Sequence, residues 1–474
     1  MILTAIGSIA QFVLLLAVMR VATTYLTPNE MGRLSLITAA TAFYALFLVN
    51  PVGMFINRRF HSWNKTGKAK YYLKLHWLYL LFVSVLASLS LWILNDSGIF
   101  RSDLDLIWLI MLVGGSLFFN TINQTAIPSL NLLEYRKQFV ALSLATILVG
   151  LCVAFLLVEY ASASAENWLL GLLVGQALLA VIGVWTLFEK LNLNTAAPVI
   201  TGSHLYVLFS FAWPVAISVA LNWVQTQGYR FVIADSLGLE SLGLFVVGYG
   251  ISAGLIAAFE SVLTTYFQPK FYKRVCTDDL SDQSEAWNRY AGAILPSLCL
   301  VICLLVALAP ELTRLMVSST YLASSEYVIW GALAEGSRVI SSVYSLSAHA
   351  KMKTKLLLLP NLAGALVCIA LTWILVPKFG VHGVGLTRSI AGIGMIVVMH
   401  YLMSINLRLE LPHLLVLRGL LLGAALFIIS AALRFLLGNT SESYLLSFLL
   451  AGSASLVFLG MFYWLIYPFL LKHE

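Results

Sequence analysis

Residues 139–158 read FVALSLATILVGLCVAFLLV, a run without a single charged residue that follows Arg136 and Lys137 and precedes Glu159. A helix needs about 20 apolar residues to cross the hydrocarbon core of a bilayer, whereas a barrel strand needs about ten in an alternating pattern. This run therefore predicts a membrane-spanning helix. The same criterion along the whole chain predicts an all-α polytopic membrane protein with about 14 transmembrane helices. The predicted spans are 4–26, 34–56, 72–94, 105–127, 139–159, 167–188, 206–233, 241–266, 288–309, 326–348, 356–376, 381–403, 413–435 and 445–470.

The composition excludes a water-soluble protein. Of the 474 residues, 60% are hydrophobic and 10% are charged, and the mean hydropathy is +0.92, whereas a soluble domain carries about 25% charged residues. The net charge of +7 does not indicate a nucleic-acid partner, because the basic residues lie in short loops between apolar runs. No GxxxxGK[ST] phosphate loop occurs, which argues against direct ATP-driven transport. Cys299 and Cys303 have no histidine or acid beside them, so no metal and no cofactor are expected.

The distribution of lysine and arginine predicts the orientation. Loops on the cytoplasmic side of a membrane protein carry an excess of these residues. With the N-terminus inside, the outer segments hold only Arg33, Arg101, Arg314 and Lys378. The inner segments hold Arg58, Arg59, Lys65, Lys68, Lys70, Lys74, Arg136, Lys137, Lys190, Lys270, Lys273, Arg274, Arg289, Lys351, Lys353, Lys355, Arg408, Arg418 and Lys472. This bias predicts that both termini are cytoplasmic.

A weak internal repeat predicts the domain organisation. The first and seventh spans each carry a membrane arginine, Arg20 or Arg230, followed by a leucine and, six residues on, by the glycine that opens the next span. An offset of six spans predicts two parallel six-helix lobes. The predicted limits are an N-terminal lobe at 1–190, a linker at 191–204, a C-terminal lobe at 205–404 and an additional helix pair at 405–474.

Several short motifs occur in a characteristic order over about 1–405. They are LTPNEMG at 26–32 after Arg20, NPVG at 50–53 before Arg58 and Arg59, GYRFVIA at 228–234 with LGLFVVG at 242–248, APELTRLM at 309–316 and PKFGVHGVG at 377–385. In this order the chain resembles the Wzx-type flippases of polysaccharide biosynthesis. That family lies within a superfamily that also contains lipid II flippases and multidrug and toxin extrusion transporters. Many Wzx-type members have twelve spans, so the last predicted pair departs from the family pattern.

The resemblance implies a function and its partners. It implies a two-lobed, V-shaped bundle that moves undecaprenyl-pyrophosphate-linked oligosaccharide repeat units across the bacterial inner membrane by alternating access. The expected pathway is O-antigen or lipopolysaccharide biosynthesis. The expected partners are the lipid-linked oligosaccharide, membrane lipid, a polysaccharide polymerase and a chain-length regulator, with no nucleic acid. No covalent bond is made or broken, so the chain is expected to be a transporter and not an enzyme.

Charged residues inside apolar runs are the candidate site. An ionised side chain near the bilayer centre is costly and tends to face a partner or a wet cavity. Four arginines at or near membrane depth suit a pyrophosphate, because the guanidinium fork pairs with phosphate oxygens. They are Arg20, Arg230, Arg338 and Arg388. The alternatives are that Arg338 is neutralised by Glu335 on the same helix, and that Arg20, Arg230 and Arg388 extend to the membrane surface.

Acids and amides complete the candidate set. Glu260 and Glu335 are the deepest acids and are the predicted sites of ion coupling, if transport is coupled to protons or sodium. Amide side chains in the fourth and seventh spans are predicted sugar contacts, or else hydrogen-bond neighbouring helices. They are Asn120, Asn123, Gln124, Asn222 and Gln225. Arg434 is interpreted as an arginine at a helix end that reaches towards the membrane surface.

Two other functions remain open. A drug or cation antiporter of the extrusion type needs acids inside the N-terminal lobe, and the sequence places none there. A membrane-embedded glycosyltransferase or polymerase needs a sizeable outer loop, and the longest outer segment is near 310–325. Both alternatives fit the sequence less well than a flippase.

Overall fold

The computed structural model describes residues 2–97, 105–192, 202–275, 280–350, 354–405, 409–437 and 443–471. Most of the predicted linker, at 193–201, lies outside these residues, as do Arg101, Lys351, Lys353, Arg408 and Lys472. The described residues form fourteen long helices, a short helix at Ala309–Met316 and two 3-10 turns at Ser319–Ser324 and Thr354–Leu357, with no strand among them. The long helices are numbered in chain order. The helices are α1 Ile2–Tyr25, α2 Pro28–Lys65, α3 Ala69–Asp96, α4 Leu106–Leu132, α5 Arg136–Tyr160, α6 Ala165–Lys190, α7 Gly202–Gln227 continued by Tyr229–Ser236, α8 Leu239–Val275, α9 Leu280–Ala307, α10 Ser325–Ala350, α11 at 358–379, α12 at 381–404, α13 His413–Leu437 and α14 Tyr444–Leu471.

Each of the fourteen predicted spans coincides with one of these helices, which confirms the predicted all-α membrane fold. Within the described residues, eleven helical segments are long and apolar enough to cross a membrane. One of the eleven, Lys355–Ser404, contains both α11 and α12. Two of the fourteen helices are not among the eleven. In α1 the apolar stretch Ala10–Tyr25 is shorter than this criterion requires, and in α10 serines and charged residues lower the hydropathy. These lengths and compositions make the chain a multi-pass membrane protein.

The turn between α1 and α2 explains the LTPNEMG motif. Thr27 precedes α2, and its side-chain oxygen accepts a hydrogen bond from the Glu30 backbone N–H at 3.4 Å, while Pro28 occupies the first turn. These are the residue types that start helices, because they satisfy or lack the free N–H groups of the first turn. The Glu30 carboxylate in turn accepts a bond from the Ala165 backbone N–H at 2.7 Å. The motif therefore joins the start of α2 to the start of α6.

The equivalent turn between the seventh and eighth helices has the same length. Only Leu26 and Thr27 separate α1 from α2, and only Leu237 and Gly238 separate α7 from α8. Gly238 has a φ of +88°, a conformation that glycine adopts without steric cost. The matching turns agree with the weak repeat, and the two six-helix lobes stay a prediction.

A second glycine divides the long helical stretch 358–404. Gly380 has a φ of +56° and a ψ of −135°, so it separates α11 from α12. Two residues later, His382 accepts a hydrogen bond through Nδ1 from the Trp330 indole N–H, at 3.1 Å. The PKFGVHGVG motif therefore forms the break between two spans and attaches that break to α10.

The chain divides into two compact units, Met1–Trp223 and Val224–Glu474. In the first unit, α5 and α6 approach closely through small residues spaced four apart. A side chain added at Gly171 would meet the Ala154 backbone, and one added at Gly175 would meet the Gly150 backbone. Membrane helices associate mainly through such close packing, because lipid provides no hydrophobic driving force between them.

In the second unit, α9 lies at the centre of the core. Trp287 and Tyr344 are fully buried there, and the Trp287 indole N–H donates to the Val343 carbonyl at 3.0 Å. The last helix pair packs on the same helix, since Gly419 of α13 lies against the Pro296 backbone and Phe458 of α14 belongs to the same core cluster. The additional pair is therefore an integral part of the second unit.

Candidate functional site

Arg388 lies inside the second unit, on α12. It is buried, with 7% of its surface exposed. Its guanidinium carbon lies 5.0 Å from the ring centroid of Tyr229 and 4.4 Å from that of Tyr249. Its Nη1 atom is buried with no hydrogen-bond partner in the described structure. Two electron-rich rings thus stabilise a cation that retains an unused donor.

Glycines place this arginine. A side chain added at Gly385 would meet the Trp330 ring of α10, and one added at Gly392 would meet Ser337 of the same helix. The axes of α10 and α12 therefore approach closely on both sides of Arg388. Such an approach brings the arginine to the level of the charged residues of α10.

Tyr249 of α8 connects Arg388 to those residues. Its ring faces the guanidinium, and its hydroxyl donates a hydrogen bond to Oε1 of Glu335. Tyr249 is itself held against α10, because Ser252, one turn further along α8, donates to the Val328 carbonyl at 2.6 Å. One tyrosine thus uses its ring for a cation and its hydroxyl for a carboxylate.

Arg338 bridges the two deepest acids. Its Nε donates to Glu335 Oε2 at 2.6 Å, and its Nη2 donates to Glu260 Oε2 at 2.7 Å. The exposed side-chain fractions are 34% for Arg338, 10% for Glu335 and 19% for Glu260. The pairing of Arg338 with Glu335 was one of the two interpretations of the sequence, and the structure adds Glu260 as a second partner.

Arg230 joins the same set of residues from α7. Its guanidinium carbon lies 5.9 Å from the Tyr229 ring centroid, so that ring contacts both Arg230 and Arg388. Unbroken contacts therefore run through seven residues, which we call the arginine–tyrosine network. Its members are Arg230, Tyr229, Arg388, Tyr249, Glu335, Arg338 and Glu260.

The arginine–tyrosine network contains five of the six charged site residues predicted from the sequence. The sixth, Arg20, lies half-buried on α1 of the first unit, where its backbone carbonyl accepts a bond from Thr24 Oγ1 at 2.7 Å. Sequence reasoning missed Tyr229 and Tyr249. The available signals were the position of Tyr229 next to Arg230 and the glycines on both sides of Tyr249.

The network carries three guanidinium groups and two carboxylates, so it has one excess positive charge when both acids are ionised. An arginine that is exposed by one third and bound to two carboxylates can exchange those partners for another anion. The carboxylates released in that exchange can take up a proton or a small cation. The arrangement can therefore couple the binding of an anion by Arg338 to the uptake of a proton or a small cation by the carboxylates.

The predicted sugar contacts occupy two kinds of position. Asn123 and Gln225 are buried and join helices: Asn123 Nδ2 donates to the Gln176 carbonyl at 2.7 Å, and Gln225 Nε2 donates to the Asn361 carbonyl at 2.9 Å. Asn120 and Gln124 are exposed on one face of α4, and Gln124 Nε2 donates to Asn120 Oδ1 at 3.3 Å. Asn222 is half-buried on α7. The pair on α4 is thus the better placed to meet a ligand.

A cavity of about 550 Å³ lies in the first unit between α2, α3 and α7. Its wall is mainly apolar and includes the aromatic rings of Phe55 and Trp63, and Arg59 also lines it. His76 also lines it and is 3% exposed, with no hydrogen-bond partner for either ring nitrogen in the described structure. The combination of aromatic walls with a guanidinium suits an amphipathic ligand with an anionic group.

The structure gives Arg434, interpreted as a residue that reaches towards the membrane surface, a partner that the sequence did not predict. Arg434 donates through Nε to Glu311 Oε1 at 3.0 Å and through Nη2 to Glu311 Oε2 at 2.8 Å. Nη2 also donates to the Ala307 carbonyl at 2.9 Å. Glu311 has no exposed side-chain surface, and it lies in the APELTRLM motif. The hydropathy pattern did not single out this buried acid, which anchors a guanidinium that is itself 39% exposed.

Comparison with known proteins identifies a family model and a shared fold. The model described as "Polysaccharide biosynthesis protein" matches residues 23–326. Among solved structures, the lipid II flippase MurJ in an inward closed conformation has a TM-score of 0.69 at 17% identity, over 98% of this chain and 99% of that chain. An inward-facing multidrug transporter of the MATE family has a TM-score of 0.59 at 14% identity, over 83% of this chain and 95% of that chain.

A mutant of the MATE transporter VcmN from Vibrio cholerae has a TM-score of 0.57 at 13% identity, over 85% of this chain and 94% of that chain. No curated protein matches the sequence significantly. At these identities, the similar structures show the fold, which this chain shares over nearly its whole length with MurJ.

Proposed function

Because the chain belongs to the polysaccharide biosynthesis protein family, whose model matches residues 23–326, we propose that it is a flippase. Its proposed substrate is an oligosaccharide repeat unit linked to undecaprenyl pyrophosphate, which crosses the bacterial inner membrane by alternating access. The chain shares its fold with a lipid II flippase over 98% of its length, which supports this proposal. Both termini are proposed to lie in the cytoplasm.

The observation that carries the proposal is the excess of arginine in the arginine–tyrosine network. Ionisable residues inside a membrane protein mark pathways for substrates or ions. Pyrophosphate is the part of the substrate that all repeat units share, so fixed positive charge suits its recognition better than groups matched to particular sugars. Arg388, whose buried Nη1 has no hydrogen-bond partner in the described structure, is a proposed phosphate contact. Arg230, which contacts the same Tyr229 ring, is a second. Arg338 is a third proposed contact and Arg20 of the first unit a fourth.

The ion pairs of Arg338 support a mechanism for coupling. In the resting network Arg338 is held by Glu260 and Glu335 at 2.7 and 2.6 Å. In the proposed cycle, the pyrophosphate replaces these carboxylates on the guanidinium. The carboxylates then bind a proton or a sodium ion, which compensates the negative charge of the headgroup. The oligosaccharide meets exposed amides such as Asn120 and Gln124, while the polyprenyl chain stays in lipid.

The distribution of acids argues against a drug or cation antiporter. An extrusion antiporter needs acids within its N-terminal half. In the described part of the first unit, every acid lies at or next to a helix end. These residues are Glu30, Asp96, Asp105, Glu134, Glu159, Glu166 and Glu189. The short outer segments likewise give little support to a glycosyltransferase or a polymerase. A polymerase and a chain-length regulator of O-antigen or lipopolysaccharide synthesis are instead proposed as partners.

The proposal is tested in proteoliposomes that contain the purified protein and a lipid-linked oligosaccharide. Movement between leaflets is measured as the fraction of sugar that a membrane-impermeant periodate reagent can oxidise. We expect faster movement with the protein than in empty liposomes, and loss of that movement in Arg388→Gln. The matched control is Arg136→Gln, which removes an exposed arginine at the start of α5.

A second substrate distinguishes the alternatives. The same liposomes are loaded with ethidium, and its transport is followed in a proton or sodium gradient. Transport of ethidium without movement of the lipid-linked sugar would favour the antiporter and contradict the flippase. Equal activity of Arg388→Gln and wild type on the lipid-linked sugar would leave the flippase intact but reject the role assigned to the network.

A further inference from the structure

A second cavity, whose lining is basic, lies in the second unit. It has a volume of about 320 Å³ and lies where α8 ends, α9 begins, α13 begins and α14 ends. Lys270, Arg274, Arg289 and Arg418 line it. The distribution of lysine and arginine assigns this end of the helices to the cytoplasmic side.

Within the described residues, one carboxylate of the neighbourhood is shared between two of these cations. Glu285 lies 2.7 Å from Arg289 Nη2 and 3.8 Å from Arg274 Nη1, so one carboxylate serves two guanidinium groups. Lys270 Nζ lies 3.8 Å from the ring centroid of Tyr266, an interaction that leaves its charge in place. Arg418 is exposed, and in the part of the chain that the structure describes it forms no ion pair. The four cations and this carboxylate sum to three positive charges.

The remaining wall of the cavity is apolar. Phe271 of α8 and Phe469 of α14 both line the cavity. Most of the surface that they and their neighbours present to it is carbon. A free phosphate ion would gain nothing from such walls. A ligand that joins a phosphate to hydrocarbon satisfies both parts of the lining, since cations pair with its phosphate and aromatic rings exclude water from its first methylene groups.

We propose that this cavity binds the headgroup of an anionic glycerophospholipid of the cytoplasmic leaflet. The phosphodiester lies among Arg274, Arg289, Arg418 and Lys270, and the glycerol and upper acyl carbons lie against Phe271 and Phe469. Clusters of basic residues at the cytoplasmic membrane surface attract anionic lipids, and basic pockets between helices hold their headgroups. The site is separate from the arginine–tyrosine network and does not depend on the substrate proposed above.

The last helix pair, α13 and α14, supplies part of this site. Arg418 and Leu415 come from α13, and Pro468 and Phe469 come from α14, so the cavity is complete only when this pair is docked on α8 and α9. A lipid that bridges these helices stabilises the docked arrangement by mass action, because it binds only the folded protein.

The test is a lipid titration of the purified full chain followed by native mass spectrometry. The probes are phosphatidylglycerol and phosphatidylcholine with identical acyl chains. We expect the wild type to bind phosphatidylglycerol at least about tenfold more tightly. Each basic residue near a membrane surface contributes about a fivefold change in affinity, so the double variant Arg289→Gln/Arg418→Gln should lose about 25-fold for phosphatidylglycerol. Its affinity for phosphatidylcholine, whose choline cation offsets the charge of the phosphate, should fall by a smaller factor.

The matched control is Arg136→Gln/Lys137→Gln, which removes two exposed cations from the same predicted side of the membrane. It should retain the wild-type affinity within about twofold. An equal loss in the control, or an unchanged affinity in the cavity variant, would overturn the proposal. The single variant Arg418→Gln, at an exposed position, repeats the test with less risk to folding, and thermal unfolding checks that each variant is folded. Displacement of phosphatidylglycerol by millimolar inorganic phosphate would show a simple anion site and would also overturn it.

Discussion

Removal of the Arg434 side chain should destabilise the protein, although the residue lies at the end of an apolar helix. Arg434 makes two hydrogen bonds to the carboxylate of Glu311 and one to the Ala307 carbonyl, at 2.8 to 3.0 Å. Breaking a buried ion pair by removing one partner costs about 3–5 kcal/mol. Glu311 has no exposed surface, but Arg434 is 39% exposed, so the lower end of that range applies. We expect Arg434→Ala to lower the free energy of unfolding by about 3 kcal/mol.

The assay is thermal unfolding of the detergent-solubilised protein, followed by the loss of its size-exclusion peak. For a folded unit of 150–250 residues, about 3 kcal/mol corresponds to a decrease in Tm of about 6–12 °C. Arg434→Lys keeps the charge but loses the planar fork, so its Tm should lie between those of Arg434→Ala and wild type. The double variant Glu311→Leu/Arg434→Leu removes both charges and should recover most of the loss. A Tm for Arg434→Ala within about 2 °C of wild type would show that the pair contributes little, and the reasoning would fail.

Three further predictions concern topology and transport. A reporter enzyme fused after Lys70 should read cytoplasmic and one fused after Ser318 external, and an external signal at Lys70 would contradict the whole orientation. Arg230→Ala should abolish export in a strain that depends on this chain, because loss of a charge-assisted phosphate contact weakens binding about tenfold to a hundredfold. Arg230→Lys should retain part of the activity at equal protein level, and full activity of both variants would remove Arg230 from the site. The double variant Glu260→Gln/Glu335→Gln should lose any dependence of transport on an imposed ion gradient, and an unchanged dependence would place ion coupling elsewhere.

Hydropathy was sufficient to predict the helices of this fold. A run such as 139–158 has one stable form in a bilayer, because every backbone polar group must be bonded within the segment. The same logic predicted α10 despite Glu335 and Arg338, since its length matched a span. Helix ends were less predictable: α2 extends from Pro28 to Lys65, well beyond the predicted 34–56. Those extra turns carry charged residues such as Glu30, Arg58 and Arg59, which the hydropathy criterion excludes from a span.

Charged residues of the site were also predictable, one at a time. A charge within an apolar run is rare, so Arg388 and Glu260 stand out without knowledge of any neighbour. Their connections were not predictable in this way. The chain has 20 tyrosines, and a tyrosine in an apolar run ordinarily packs in the core, so the glycines beside Tyr249 were too weak a signal to assign it a role. Its role depends on the approach of α8, α10 and α12, which is set by residues distant in the sequence.

The partner of Arg434 also could not be predicted from the sequence. Its partner Glu311 is 123 residues away in the chain and lies in a short helix, Ala309–Met316, whose polar residues suggested an exposed loop. Because Arg434 lies near the end of a predicted span, its position alone favoured a side chain that extends to the membrane surface. Only the docking of α13 on the end of α9 brings the two side chains together. Sequence patterns therefore identified which residues are unusual, and packing determined which of them are structural.

Packing also joins substrate and ion binding in the proposed mechanism. Arg338 is the one guanidinium that binds both Glu260 and Glu335 in the described structure. An arriving anion that takes Arg338 from these carboxylates leaves two negative charges close to a third, and this repulsion favours the uptake of a proton or cation by an acid. Linkage is reciprocal, so ion uptake must favour anion binding by the same factor. Coupling thus requires no separate ion site, because the Tyr249 hydroxyl still holds Glu335 while its other partner is exchanged.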